Sequence, residues 1–128
     1  DIEHRMVLGE YYYDRSQFED AQTLFDEILK EEPTNLDALV FRGLLFIENV
    51  EYDNAIQVYK KVLDLDPDDE VVWDNLGLAY EYNKESIKSI QAFEKAHQLV
   101  PEDLEISQHL AIAHLNSQNR NFMLTCNP

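Results

Sequence analysis

The chain has 128 residues, of which 45% are hydrophobic, and 26 acidic against ten basic side chains give it a formal net charge of −16. This length is enough for one domain with its own core, and seven Tyr, six Phe and one Trp exclude a disordered acidic tail. The charge disfavours nucleic acid and anionic membranes as partners, and no apolar run approaches the roughly 20 residues that span a bilayer. We therefore expect a soluble chain, and the start at Asp1 instead of Met suggests an excised piece or a processed form. The lone Cys126 cannot form an internal disulfide.

Glycine and proline return along the chain at intervals of 34 residues. The glycines are Gly9, Gly43 and Gly77, and the internal prolines are Pro33, Pro67 and Pro101. Other columns keep the same interval: Leu8, Arg42, Leu76 and Leu110; Tyr12, Phe46, Tyr80 and His114; Ala21, Ala55 and Ser89; Phe25, Tyr59 and Phe93; Ile28, Val62 and Ala96. Such self-similarity is typical of a repeat protein.

The first repeat predicts two helices. Leu8 and Tyr12, and then Ala21, Phe25 and Ile28, are spaced by three and four residues, which is the spacing of a helix and not of a strand. The same columns predict helix pairs in the next two repeats. In chain order, the expected units are 2–35, 36–69 and 70–103, then the first helix of a fourth unit at 104–117, and a tail at 118–128 whose structure the pattern does not define.

Helix starts and close helix contacts can also be predicted. Asp1, Asn35, Asp69 and Asp103 have short polar side chains that cap a helix, and the last three each follow a proline by two residues. A glycine inside a helix costs about 1 kcal/mol relative to alanine, so one glycine per repeat indicates a closely approaching second helix. Ala21 and Ala55 are the expected counterparts on that helix.

This pattern resembles the tetratricopeptide repeat family, whose motif runs Trp, Leu-Gly, Tyr, Ala, Phe, Ala and Pro. Ser89 is the one departure in the third repeat, which matches at Trp73, Leu76, Gly77, Tyr80, Phe93, Ala96 and Pro101. The resemblance covers residues 2 to 103 and the first helix of a fourth unit. It implies an all-α, right-handed superhelical solenoid of antiparallel helix pairs with about three and a half repeats, acting as a protein-binding scaffold.

The resemblance also implies that the first helix of each pair lines a concave groove where ligands sit. At about 100° per residue, the side of each first helix opposite the Leu8 column defines the candidate groove residues. They are Glu3, Met6, Glu10, Tyr13, Asp37, Val40, Leu44, Ile47, Val71, Asp74, Leu78, Glu81 and Ile112, with Asp14, Glu48, Tyr82, Glu105, Gln108, Leu115 and Asn116 at equivalent positions.

Because these residues are apolar in the middle and acidic at the rims, the expected partner is a protein segment with apolar and basic side chains. The alternatives are self-association, packing against the tail residues Phe122, Met123 and Leu124 or against the rest of a larger protein, and a role as the regulatory segment of a larger enzyme. One subclass of the family binds acidic chaperone tails through Lys, Asn and Arg. Five positions match this clamp, and none retains the residue required there: Met6, Glu10, Phe41, Val71 and Asn75.

The sequence predicts no catalytic residue, no metal and no cofactor. The acidic run from Asp64 to Glu70 resembles a calcium loop, but Asp69 stands where glycine is required and Asn75 where glutamate is required. His109 and His114 are five residues apart, a poor spacing for two ligands on one helix face, and we expect His114 to be at least partly buried in the aromatic column. No glycine-rich phosphate loop or nucleophile motif is present, so a binding protein is expected instead of an enzyme.

Overall fold

A computed structural model describes the backbone of residues 1–126 and the side chains of residues 1–121. Within this range the chain is all-α, with short turns between the helices, as the repeat pattern predicts. The helices are α1 (Ile2–Asp14), α2 (Phe18–Glu31), α3 (Leu36–Glu48), α4 (Tyr52–Leu65), α5 (Glu70–Tyr82), α6 (Ser86–Leu99) and α7 (Leu104–Cys126).

The four predicted helix caps are confirmed. The Asp1 carboxylate accepts a hydrogen bond from the Glu3 amide, and the Asn35 side chain accepts one from the Ala38 amide, each over 3.0 Å. The Asp69 carboxylate accepts from the amides of Val71 and Val72, and Asp103 accepts from that of Ile106. Each cap bonds an amide of the first turn that has no partner inside the helix, which defines where α1, α3, α5 and α7 begin.

The turn inside each helix pair also repeats. Ser16, Val50 and Lys84, which stand at the same register, have positive φ angles of 61°, 63° and 62°. In the first pair the Ser16 amide donates to the Tyr13 carbonyl, and the next amide, that of Gln17, donates to the Tyr12 carbonyl. The other two turns repeat both bonds, which together form the left-handed Schellman ending of a helix.

Close helix contact at the glycines is confirmed, and an aromatic ring of the second helix lies nearest to each glycine. A Cβ atom built on Gly9 would lie 2.8 Å from the Phe25 ring, and one built on Gly77 would lie 2.5 Å from the Phe93 ring. Gly43 stands in the same relation to the Tyr59 ring, at 2.5 Å. The aromatic column therefore lies nearest to the glycines, and Ala21 and Ala55 are fully buried.

The chain divides into two compact units, residues 1–62 and 63–128, with the division inside α4. In the first unit, α2 packs against both α1 and α3, and its core includes the fully buried Phe25, Ile28 and Tyr59. In the second unit, α6 packs against α5 and α7, which also contact each other, and Phe93 lies at the centre. Each unit therefore buries the aromatic column of its own helices.

Helix α7 continues through Cys126, so the predicted boundary at residue 117 is not a helix end. The segment 104–126 contains neither proline nor glycine, and nothing in it interrupts the backbone hydrogen bonds. The expectation for His114 was wrong, because its side chain is 53% exposed, with Nε2 4.0 Å from Glu94 Oε1. The side chains of Phe122, Met123 and Leu124 lie outside the described residues.

Candidate functional site

All thirteen predicted groove residues are at least partly open to solvent. Five of them are exposed, namely Glu3, Glu10, Asp37, Val71 and Ile112. The other eight are half-buried, namely Met6, Tyr13, Val40, Leu44, Ile47, Asp74, Leu78 and Glu81. Each of the two units carries its own set of these residues.

In the first unit, α3 presents a row of aliphatic side chains. Val40, Leu44 and Ile47 follow one another by four and three residues, which places them on one side of the helix. All three are half-buried, whereas Ala38, Leu39 and Leu45 on the other sides of α3 are buried. We call Val40, Leu44 and Ile47 the α3 row. These side chains leave apolar surface in contact with water.

Tyr13 connects α1 to the same part of the unit. Its ring lies 5.4 Å from that of Phe18 and 5.6 Å from that of Phe41, between centroids. Its hydroxyl donates to the Glu48 carboxylate, and burial, followed by the negative charge of Glu48, raises the pKa of Tyr13 above its ordinary value. Held by two rings and one hydrogen bond, Tyr13 is a fixed part of this surface.

Three predicted groove acids of the first unit have carboxylates that are open to solvent. Glu3, Glu10 and Asp37 are exposed, and their carboxylates make no ion pair or hydrogen bond with other described residues. Exposed carboxylates of this kind attract cationic side chains from a distance, chiefly at low salt.

The predicted groove acids Asp74 and Glu81 of the second unit are bonded to other side chains of that unit. Asp74 on α5 accepts from Nδ1 of His109 on α7, with distances of 2.8 and 3.0 Å to its two oxygens. Burial raises the pKa of Asp74 above its ordinary value, and the hydrogen bond from His109 opposes that rise. The His109 ring also lies 5.6 Å from the Phe93 ring, so this pair belongs to the packing between helices.

Glu81 is held by several partners. One of its oxygens accepts from Arg120 at 3.0 Å and from Asn116 at 3.1 Å, and the other accepts from the Ser89 hydroxyl at 2.9 Å. Glu81 and Asp74 were predicted to face a basic partner, but both carboxylates already have partners within the unit. A cation from another protein would have to compete with His109 and Arg120 for them.

Sequence reasoning missed these partners, although the sequence contains a signal for them. Tyr13 and Glu48, Asp74 and His109, and Glu81 and Asn116 are each separated by 35 residues. Each pair joins the first helix of one repeat to the first helix of the next, one residue beyond the repeat length. A search for complementary side chains at this separation would have found all three.

The second unit leaves apolar surface open beside its bonded acids. Val71 on α5 is 54% exposed, and Ile112 and Leu115 on α7 are 53% and 56% exposed. Leu78 is half-buried. The described part of the chain contains no group of three or more residues able to hold a metal ion, and it contains no helix with the length and apolar character of a membrane span.

Comparison with known families places the chain among the tetratricopeptide repeat proteins. One family model described as a tetratricopeptide repeat matches residues 6–70, which is more than half of the chain, and a second matches residues 71–103. The chain therefore belongs to the tetratricopeptide repeat family. No curated protein matches it in sequence.

Solved structures share the fold. MamA (residues 41 to the end) from Desulfovibrio magneticus RS-1 is 27% identical with a TM-score of 0.84, over 98% of this chain and 71% of that one. The tetratricopeptide domain of Sgt2 from Aspergillus fumigatus is 18% identical with a TM-score of 0.86, over 94% and 81%. The first tetratricopeptide domain of Spaghetti (RPAP3), bound to the HSP90 peptide SRMEEVD, is 13% identical with a TM-score of 0.85, over 91% and 93%. The two structures below 25% identity support the fold alone.

Proposed function

We propose that this chain, a protein-interaction scaffold, binds an amphipathic segment of a partner protein on α1 and α3, the first helices of the repeats in its first unit. The apolar side chains of the segment pack on the α3 row, and its Lys or Arg side chains face Glu3, Glu10 and Asp37. The observation that carries the proposal is the half-exposed α3 row, in a unit whose exposed carboxylates Glu3, Glu10 and Asp37 have no partner among the described residues.

Charge determines which segment is expected. The Spaghetti domain shows that this fold can hold a peptide, and that peptide, SRMEEVD, has two adjacent glutamates and a terminal aspartate. In this chain Glu10 is one of the five positions corresponding to the acidic-tail clamp, and none of the five carries Lys or Arg. With a net charge of −16 as well, a basic segment is favoured over an acidic one.

The test uses two synthetic helical peptides of equal length. Both carry leucine along one side, and one has lysine and the other glutamate at the polar positions. Fluorescence anisotropy should show binding of the lysine peptide only, and Leu44→Glu should weaken it about tenfold or more, since burying one leucine contributes about 1.5–3 kcal/mol. The double variant Leu44→Glu with Ile47→Glu, which changes two positions of the α3 row, should abolish binding.

A matched control tests whether the loss of binding depends on the position of the changed leucine or only on the change from leucine to glutamate. Leu65, which is 52% exposed on α4, receives the same change, and Leu65→Glu should leave binding of the lysine peptide intact. Thermal melts monitored by circular dichroism confirm that each variant is folded. Equal binding of the two peptides, or undiminished binding by the folded double variant, would disprove the proposal.

Self-association is the second candidate, and one feature of α7 favours it. Leu104 is 78% exposed, and Ile112 and Leu115, eight and eleven residues later, lie on the same side of the helix. A second copy of the chain is the occupant expected on this stripe. Sedimentation analysis should then show a dimer that forms with increasing concentration and is lost in the Ile112→Asp, Leu115→Asp double variant. A monomer at all concentrations would exclude this candidate.

A further inference from the structure

Three of the ten cationic side chains of this acidic protein line one cleft. Lys84, Lys88 and Arg120 border a cleft of about 460 Å³ in the second unit, between the start of α6 and the later part of α7. Glu85 is the single acid in the lining. The local charge is therefore opposite in sign to that of the whole chain.

The uncharged polar side chains of the cleft can all donate hydrogen bonds. Ser86 and Ser117 carry hydroxyl groups, and Asn121 carries an amide. Helix α6 begins here with no side-chain cap and no acidic residue in its first turn, so the first amides of the helix add to the positive potential. The Glu85 carboxylate accepts from Asn83 and lies 3.5 Å from Lys88, so it offsets one of the three positive charges of the lining and leaves two in excess.

Arg120 is held in place by two hydrogen bonds, and its guanidinium group has further N–H donors. One guanidinium nitrogen donates to the Ser86 hydroxyl and another donates to Glu81 at 3.0 Å, which fixes the group at the side of the cleft. A guanidinium has five N–H donors, so these two bonds leave others for a ligand. Lys84 is exposed and makes no ion pair with the described residues.

We propose that this cleft is a binding site for an oxyanion, either a phosphate or a carboxylate group. Convergent ammonium and guanidinium groups next to the start of a helix form the donor set that such anions require. The site does not depend on the proposed groove function, which uses other helices and the opposite charge. Because the chain as a whole repels anions, binding here requires the local cluster and does not follow from net charge.

The experiment is an NMR titration of the nitrogen-15-labelled chain. Sodium phosphate, sodium acetate and sodium chloride are added separately at equal ionic strength and constant pH, and the amide signals of Ser86, Ile87 and Lys88 are followed. Saturable shifts with phosphate, with acetate or with both support the site, and the stronger ligand identifies the preferred group. Shifts that do not saturate, or that chloride reproduces in full, overturn it.

Two variants of equal charge locate the effect. Lys84→Glu with Lys88→Glu should weaken anion binding by at least about tenfold, because charge-assisted hydrogen bonds are lost and two negative charges are gained. The exposed pair on α4 provides the control, and Lys60→Glu with Lys61→Glu should leave the affinity unchanged. An equal loss in both double variants would show that net charge alone controls binding and would refute the proposed site.

Discussion

Tyr59 carries a buried hydroxyl group that has no hydrogen-bond partner among the described residues. Its side chain is fully buried, and the same column has phenylalanine at Phe25 and Phe93. A buried polar group without a partner costs about 1–3 kcal/mol. The aromatic ring at this position fills the space beside Gly43, but the hydroxyl contributes no bond to the packing.

Replacing Tyr59 by phenylalanine should therefore stabilise the protein, most clearly at alkaline pH. Burial, and secondarily the Tyr13 phenol, raises the pKa of Tyr59 far above its unfolded value of 10.0. Only the unfolded state then ionises as the pH passes 10, so the stability is complete below that pH and declines above it. Urea unfolding at several pH values should show a higher midpoint and a smaller alkaline loss for Tyr59→Phe.

Tyr11 provides the control for this effect. It is 53% exposed on α1, so its hydroxyl is solvated in the folded state and Tyr11→Phe should change neither the midpoint nor its alkaline slope. If Tyr59→Phe behaved in the same way, the hydroxyl of Tyr59 would have to be satisfied by a bond or a water molecule.

At the scale of the elements, the turn between α3 and α4 uses an unfavourable residue. Val50 adopts a φ of 63°, and a β-branched side chain in this left-handed region costs roughly 1–2 kcal/mol. Glycine is the usual residue in the Schellman ending, because it has no Cβ to collide with the backbone. Serine and lysine occupy the same position in the other two helix pairs.

Val50→Gly should consequently raise the free energy of unfolding by about 1 kcal/mol, once the added flexibility of the unfolded chain is subtracted. The same change at the exposed Val7, inside α1, should lower it by a few tenths of a kcal/mol or more, because glycine is the poorer helix former. Opposite signs in urea unfolding are the expected result. A loss of stability in both variants would contradict the strain assigned to Val50.

At the scale of the whole molecule, charge is the dominant feature. The chain carries a net charge of −16, and its ion pairs among the described residues are few, such as Arg5 with Glu31 and Arg120 with Glu81. Repulsion between carboxylates opposes the compact state, and salt screens it, with a Debye length of about 10 Å at 0.1 M.

Added salt should therefore stabilise the protein. Raising NaCl from about 0.01 M to about 1 M shortens the screening length roughly tenfold and should raise Tm by several degrees. Asp64→Asn with Asp68→Asn, two exposed sites in the last turn of α4 and in the turn that follows it, should raise Tm at low salt and reduce this gain. A Tm that is unchanged or falls with salt would mean that attractive pairs outweigh the repulsion.

The sequence by itself determined the helix pairs, their register and their capped starts. Asp69 caps α5 through amides two and three residues away, and the 34-residue columns specify which side of each helix is apolar. These properties depend on neighbours along the chain, so periodicity is sufficient to predict them.

Only the tertiary structure decided which predicted groove residues keep a free charge. The sequence predicted both Asp74 and Glu10 as groove acids, but Asp74 bonds to His109, 35 residues away, and Glu10 has no partner among the described residues. Likewise, only the tertiary structure showed which aromatic ring lies against each glycine and that the His114 side chain is exposed. Such outcomes depend on which side chain a distant helix brings within about 3–4 Å, a distance that no local pattern contains.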